Sequence, residues 1–432
     1  MAAPSEETEI FRIARPAAAD APALPQVREA FGLEIQTAKG DDCSDSADRT
    51  LTEISVGKLA PIADPSRMRD AGYCKASDIE RLWKQKTRLD VLFDQGESAL
   101  YWRSREALYP TGRRGSDRPL GNRAGEKLEE IARVVGGLED ALQKTPKENA
   151  FLDICGAPGA WSQYLLQVGS EHGALMRGFG FSLRNGTNPR TCTWYEALAS
   201  RSDFHTIWGA DDTGNVCTIE NIAQAVEAIG RKVLIAVADG GDGTAKSEDG
   251  QHMENYQEIV NSRILLAEVL LMLKTIQLGG MFVCKILDTF SHMTCSLIFT
   301  VSCLFEETFI VKPRHSRVVN SERYLVGKRC SSQPGMEIFD ILHAAVAAAH
   351  AAWPQPGPQG PWSGSAPVSV VPQNLLLADE PFCSSIRAMS TALCDRQARA
   401  LEAVIDHAEA LRNGGTAVIG CPPAKRRRRG ST

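Results

Sequence analysis

The 432-residue sequence predicts an α/β fold: a mostly parallel sheet covered by helices on both faces. Three observations lead there. Residues 149–163 read Asn-Ala-Phe-Leu-Asp-Ile-Cys-Gly-Ala-Pro-Gly-Ala-Trp-Ser-Gln. An apolar run, Ala150 to Ile154, stops at the tight turn Gly156-Ala157-Pro158-Gly159, and an apolar helical pattern with Trp161, Tyr164, Leu165 and Val168 follows. Strand, glycine turn and helix form the opening unit of an open α/β sheet, whose ligands lie across the carboxyl ends of the strands. Next, strand-like apolar runs recur down the chain with helical stretches between them. Finally, the gap between the last two such runs has no room for a crossover helix, so those strands pair antiparallel.

Taken in order, residues 1–75 are rich in Ala, Pro, Asp and Ser with weak periodicity and read as a variable, partly disordered leader. A helical pattern starts near Asp78, which with Ser77 can cap it, and carries Ile79, Leu82, Trp83 and Leu89. Pro110 to Gly121 is polar and glycine-bearing, a loop. Lys127 then lies on a helix whose apolar members are Leu128, Ile131, Val134 and Val135. Beyond the glycine turn, strands are expected at Gly178–Leu183, Phe204–Trp208, Val233–Ala238, Met281–Ile286, Thr308–Val311 and Tyr324–Gly327, with helices near 218–229, 251–278 and 294–305. These elements make a domain of residues 76–331. Residues 332–432 hold an Ala/His-rich helical end, a Pro/Gly/Ser linker from Pro354 to Pro372, a helical stretch at 384–412 and a basic tail.

Composition excludes several classes. With 43% hydrophobic and 23% charged residues the chain reads as ordinary soluble globular protein. No run approaches the length of a membrane span, and the acidic start Pro4-Ser5-Glu6-Glu7 does not suit a signal peptide. The 12 cysteines form no C-x-x-C pair, and Cys155, Cys284 and Cys303 lie in apolar runs; packing thiols are expected, and no metal site. The net charge of −5 does not favour nucleic acid, but its distribution does. Six arginines (103, 105, 113, 114, 118 and 123) face two acids between Tyr101 and Arg123, and Lys425 to Arg429 form a second basic cluster. Such patches attract phosphate backbones. The second also fits a nuclear import signal, which places the protein in the nucleus.

The turn itself lacks the spacing of G-x-G-x-x-G and has no Gly-Lys-Ser/Thr, so neither a dinucleotide fingerprint nor a Walker loop is present. Alone it could be an ordinary turn closing a buried strand. Asp-Ile-Cys-Gly-Ala-Pro-Gly-Ala-Trp-Ser-Gln, however, resembles the S-adenosylmethionine loop of the FtsJ-type RNA ribose 2′-O-methyltransferases. Four further segments follow that family in order: Asn122-Arg123-Ala124-Gly125-Glu126-Lys127-Leu128, Val237-Ala238-Asp239-Gly240-Gly241, Gly279-Gly280-Met281-Phe282-Val283-Cys284-Lys285 and Asn320-Ser321-Glu322-Arg323-Tyr324. The last of these, with Glu254-Asn255-Tyr256-Gln257-Glu258 and Val311-Lys312-Pro313, is similar to the form found in eukaryotic mRNA cap-specific members. The resemblance covers roughly Arg103 to Arg329.

It implies a Rossmann-like methyltransferase sheet of seven strands ending in an antiparallel hairpin. It also implies S-adenosyl-L-methionine as cofactor, and methylation of the 2′-hydroxyl of the first transcribed nucleotide of capped mRNA. The catalytic residues it implies are Lys127, Asp239, Lys285 and Glu322. Lys285 would be the base, Lys127 and Asp239 would orient the hydroxyl, and Glu322 would hold a lysine in place. The chemistry supports such a set. A ribose hydroxyl is a poor nucleophile that needs a base beside it. A lysine serves only if its pKa is depressed, which a second cation in a partly desolvated site achieves. Asp239 and Lys285 each end an apolar run, at strand edges where such sheets place ligands.

Cofactor contacts are expected from Asn122, Asp153, Cys155, Gly156, Ala157, Pro158, Gly159, Ala160 and Trp161. Asp211 and Asp212 could receive the adenine or ribose, although Asp212 equally suits a turn before Gly214. The acid that many methyltransferases carry after the second strand is replaced by Ser182-Leu183-Arg184. RNA contacts are expected from Arg103 and Arg105, beside Tyr101 and Trp102, and from Asn255, Tyr256, Gln257 and Asn320. The partners implied are capped RNA and, among proteins, RNA polymerase II or the capping machinery, with no membrane. Two competing readings remain: the same reaction on a later cap nucleotide or on ribosomal or small nuclear RNA, and a non-catalytic RNA-binding module on the same fold.

Overall fold

The computed structural model describes residues 8–16, 59–61, 66–110, 123–144, 148–184, 193–241, 252–332, 336–352, 365–367 and 370–414. In chain order the strands are β1 (Glu9–Ile13), β2 (Leu59–Pro61), β3 (Glu148–Ile154), β4 (Leu175–Phe181), β5 (Phe204–Ile207), β6 (Val233–Ala238), β7 (Ile276–Ile286), β8 (Phe305–Lys312), β9 (Arg323–Cys330) and β10 (Ser365–Pro367). The longer helices are α1 (Ala76–Asp94), α2 (Ser98–Leu108), α3 (Arg123–Val135), α4 (Ala160–Glu171), α5 (Ile219–Ile229), α6 (Gln257–Thr275), α7 (His292–Leu304), α8 (Met336–Ala352) and α9 (Glu380–Arg412).

The sheet runs β1-β8-β9-β7-β6-β3-β4-β5, and a separate two-stranded ribbon joins β2 to β10. Strands β3 to β7 are parallel to their neighbours, while β9 inserts antiparallel between β7 and β8. The expected hairpin is therefore present, and its second strand lies on β7, the strand that ends in Lys285. The seven expected strands are joined by an eighth. Glu9–Ile13, in the stretch read as leader, pairs antiparallel with β8 at the sheet edge.

Every residue of β6 is buried, which explains its unbroken apolar sequence. Its side chains alternate between two cores. Ala236 and Ala238 join Leu152, Ile154, Phe282 and Cys284 beneath α6, α7 and α8. Ile235 and Val237 join Phe151, Val283 and Val326 beneath α3 and α4. A third core lies beyond the sheet. There α9 packs on α1 and α2 through Ile79, Leu82, Tyr101, Cys394, Leu401 and Val404, reaching Val318 and Val319 just before β9. The helix expected at 384–412 thus shares a core with the residues before it.

Local boundaries differ where backbone chemistry decides them. Helix α1 begins at Ala76 without a side-chain cap, so Ser77 and Asp78 sit in its first turn instead of capping it. The helical pattern expected over 251–278 divides into a short turn, Glu254–Tyr256, then α6, and then strand from Ile276. Gly279 stands in that strand at φ 77°, a backbone angle that suits glycine.

Candidate active site

The parallel register brings the carboxyl ends of three strands together. Ile154 of β3 pairs with Phe181 of β4 on one side and Ala238 of β6 on the other. Past these ends the glycine turn is built from within. Cys155, at φ 57°, donates its N–H to the Phe181 carbonyl at 2.6 Å, and Ala157 donates to Ser182 Oγ at 3.3 Å. Gly159, at φ 108°, leads into α4, and a Cβ there would lie 2.3 Å from Leu198 Cδ2. No side chain caps the first turn of α4, so the backbone N–H groups that begin a helix lack that usual partner at the turn.

Asp153 lies inside the turn, fully buried, accepting from Ser162 Oγ at 2.6 Å. A Cβ on Gly156 would stand 2.1 Å from its carboxylate. Burial, with Asp239 adding to it, pushes this carboxyl up to about 7 although Ser162 pulls the other way. Asp153 thus supports the loop from below. Trp161 is also buried, and its Nε1 donates to the Ala124 carbonyl at 2.6 Å, tying the loop to the start of α3. Ala160 is buried, while Gly156, Ala157 and Pro158 are half-buried along the turn. Asn122 lies outside the described residues.

The four residues implied as catalytic come together. Lys127 Nζ lies 2.6 Å from Glu322 Oε1, and Lys285 Nζ lies 3.3 Å from Asp239 Oδ1 while donating to the Asp239 carbonyl at 2.7 Å. Lys285 pairs directly with Tyr324 across β7 and β9, so both side chains rise on one face. The Tyr324 hydroxyl bridges the two ion pairs, donating toward Glu322 Oε1 at 2.9 Å and Asp239 Oδ1 at 3.4 Å.

The electrostatics correct one expectation. Burial lowers the pKa of Lys285, but Asp239, Glu322 and Glu268 together raise it above its ordinary value. The second lysine does not depress it, because Lys127 is paired with Glu322 and the carboxylates around Lys285 outweigh it. The Glu322 carboxyl is held at about 2: burial pushes it up, and Lys127 and Lys285 pull it further down.

Sequence reasoning missed several residues that fix this set. Glu268 of α6 is buried under the site, accepts the Gly240 N–H at 2.9 Å and is pushed up to about 7, chiefly by burial. Lys312, quoted only as part of a motif, donates to the carbonyls of Asn320 and Glu322 at 2.5 and 2.6 Å, and burial lowers it to about 7. Beside it Arg323 Nη2 meets Asp288 at 2.7 Å, and Lys86 of α1 meets Asp288 at 3.1 Å and Ser321 Oγ at 3.0 Å. Glu258 accepts from the backbone of Phe290 and Ser291, fastening the chain after β7. The only sequence signal was that Glu258, Lys312 and Arg323 stand inside the quoted motifs.

The expected RNA contacts divide. Arg103 is exposed, whereas Arg105 is buried with its guanidinium 4.5 Å from the Trp102 ring centroid. Arg105 is a packing residue here, because its charge is covered by the neighbouring rings. Burial, with Arg123 and Arg105 beside it, lowers Arg317 to about 10, so these three arginines converge. Arg317 was not anticipated; Arg113, Arg114 and Arg118 lie outside the described residues. Asn255, Gln257 and Asn320 are half-buried, and Tyr256 packs near Trp83 with ring centroids 6.4 Å apart.

At the far edge, Asp211 accepts from Thr213 N–H and Oγ1 and from Asn221 Nδ2, which builds a turn. Asp212, at φ 60°, pairs with Arg184, whose guanidinium lies 5.1 Å from the Trp208 centroid. Both acids are exposed and already serve the loop.

The model of the FtsJ-like methyltransferase family matches residues 120–330. The chain is 33% identical over 347 residues to "Cap-specific mRNA (nucleoside-2'-O-)-methyltransferase 1" of Trypanosoma cruzi, a match spanning 78% of this chain and 88% of that protein. The protein of the same name from Trypanosoma brucei brucei is 33% identical over 339 residues, spanning 77% and 84% of the two chains. Its counterpart from Leishmania braziliensis is 31% identical over 349 residues, spanning 78% and 81%.

Proposed function

Because the chain belongs to the FtsJ-like methyltransferase family, we propose that it methylates the ribose 2′-hydroxyl of the first transcribed nucleotide of capped mRNA, with S-adenosyl-L-methionine as donor. The observation that carries this reading is the joining of Lys127–Glu322 and Lys285–Asp239 through Tyr324, beside the glycine turn. The names of the relatives supply the substrate class. The residues fit the cofactor: a turn of small residues admits it closely, the uncapped start of α4 suits its carboxylate, and Asp239 suits its positive charge. When bound, the cofactor supplies an activated methyl group.

Lys285 is the residue placed to take the hydroxyl proton, and Asp239 and Lys127 hold that hydroxyl in line. Protonated Lys285 cannot act as a base, and its carboxylate neighbours favour that form. A positive charge brought beside it shifts the balance toward the neutral amine. Glu322 keeps Lys127 in place, and Tyr324 keeps both pairs in register. Exposed Arg103 and half-buried Arg317 suit RNA phosphates, with Tyr256 and Asn320 on the substrate side.

The test is incubation of the purified protein with labelled cofactor and short RNAs, capped or uncapped, followed by mapping of the methylated position. Label confined to the first nucleotide of capped RNA supports the proposal. Label at a later nucleotide, or on uncapped RNA equally, refutes the target. No helix among the described residues is long and apolar enough to cross a membrane. Nuclear location, with RNA polymerase II or the capping machinery as neighbours, is proposed from Lys425-Arg426-Arg427-Arg428-Arg429, which lies outside the described residues. Deleting residues 424–432 should move a fluorescent fusion to the cytoplasm and leave activity in vitro unchanged; a truncated fusion that stays nuclear refutes that assignment.

A further inference from the structure

Away from the tetrad, His252 meets three carboxylates where α1 faces the short turn Glu254–Tyr256. Its Nε2 lies 2.9 Å from Asp94 Oδ1, a hydrogen bond. Its Nδ1 lies 3.4 Å from Asp90 Oδ1 and 3.5 Å from Glu254 Oε2. Among the described residues, His252 Nδ1 and Glu254 Oε2 are buried atoms with no hydrogen-bond partner. One ligand atom from each of Asp90, His252 and Glu254 lies within 4.8 Å of the others.

From this geometry we infer a divalent-cation site of the zinc class formed by Asp90 Oδ1, His252 Nδ1 and Glu254 Oε2. Separations of 3.4 and 3.5 Å are long for hydrogen bonds to a ring nitrogen. They match the edges of a tetrahedron: ligand bonds of about 2.1 Å put neighbouring donors about 3.4 Å apart. The contact between Nε2 and Asp94 orients the ring so that Nδ1 faces the Asp90 and Glu254 carboxylates. A metal ion there would take the place that a proton on Nδ1 otherwise holds. A carboxylate on the far nitrogen of a ligating histidine is the usual way such a ring is oriented. One imidazole with two carboxylates suits zinc or its near neighbours better than magnesium, which favours all-oxygen sites. Water would complete the tetrahedron.

The consequence lies in the chain's geometry. The ion would join α1 to the residues directly before Asn255 and Tyr256, where Lys86 already donates to the Glu254 carbonyl at 3.1 Å. It would fix the substrate-side turn without touching the tetrad.

The test uses the full chain, stripped with chelator and titrated with Co²⁺ alone as a spectroscopic stand-in for zinc. One equivalent should bind, with the visible spectrum of tetrahedral cobalt in nitrogen and oxygen ligands, and Zn²⁺ should bleach it. His252→Ala and Asp90→Asn should abolish the spectrum. Asp94→Asn, which removes no ligand, should weaken binding about 10–100-fold and gives a reading even if a ligand variant fails to fold. A spectrum of thiolate–cobalt charge transfer assigns the ion to cysteines, and binding unchanged in Asp94→Asn and Asp90→Asn places it away from His252; either overturns the proposal. So does no binding at all, which leaves His252 as the centre of an ion-pair cluster.

Discussion

Replacing Glu322 with glutamine removes one negative charge and keeps the shape of the side chain. Its effect can be worked from the structure. The carboxyl is held at about 2 against an ordinary 4.5, despite burial, by Lys127 first and Lys285 next. Each pH unit of displacement is worth about 1.36 kcal/mol, so the ionised carboxylate contributes ~3 kcal/mol to the folded state. The folded-state carboxyl ionises at lower pH than the unfolded one. That contribution is therefore complete above about pH 4.5 and fades as pH falls toward 2. Urea titrations of the wild type and Glu322→Gln at pH 7 and at successive steps below pH 4.5 read it directly. The stability gap should be roughly 3 kcal/mol at pH 7, hold to about pH 4.5 and narrow below it. Methyl transfer should fall as well, because Lys127 loses its counter-charge and the oxygen it shares with the Tyr324 hydroxyl becomes a neutral, weaker acceptor. A gap under about 0.5 kcal/mol at pH 7, the range of an exposed ion pair, would refute the reasoning. So would one that does not change with pH.

Lys285→Ala should reduce turnover by ~10²–10⁴-fold while cofactor affinity, measured by calorimetry, survives. In the wild type kcat/KM should climb with pH on the alkaline side of neutrality, since the carboxylates around Lys285 favour its protonated form. A profile flat across that range would remove the lysine as base. Asp288→Asn leaves Arg323 and Lys86 without their shared anion in a buried setting and should cost about 3–5 kcal/mol in urea denaturation. A loss below about 1 kcal/mol would mean that the network is wet.

The fold was legible because its signals are local and periodic. The unbroken apolar run Val233–Ala238 reads as a strand buried on both faces, and it is one. The glycine turn is legible for the same reason: Gly159 takes a left-handed backbone angle that other residues adopt only at a cost. Strand β1 escaped notice because five residues of an edge strand carry too little pattern to stand out from a polar leader. Tetrad membership came from motif resemblance, since nothing local to Glu322 separates it from a surface glutamate. What could not be read was charge balance. The pKa of Lys285 depends on Glu268, on a helix remote in sequence, and that contact exists only once α6 packs under β7. Arg105 shows the same limit from the other side. In sequence it is a cation beside two aromatic residues, and only packing decides whether the charge meets phosphate or a ring.

Part of what holds the proposed active site lies outside the family segment, residues 120–330. The residues preceding β9 carry Glu322; Lys312 fastens them from within the segment, and further bonds reach them from outside it. Lys86 reaches Asp288 and Ser321 from α1. Gln397 of α9 donates to the Val319 carbonyl at 3.1 Å and to Ser321 Oγ at 3.2 Å. Arg396, one residue earlier, meets Glu9 of β1 at 2.6 Å. Elements from both ends of the chain therefore converge on the loop that positions one member of the tetrad. Buried polar networks of this kind are demanding, because each unmet partner costs more than the bond contributes. Truncation before α9 thus removes more than an appendage. It should expose the third core and remove the Gln397 bonds to Val319 and Ser321, next to Glu322. Helix α9 accordingly supports the proposed active site from outside the family segment.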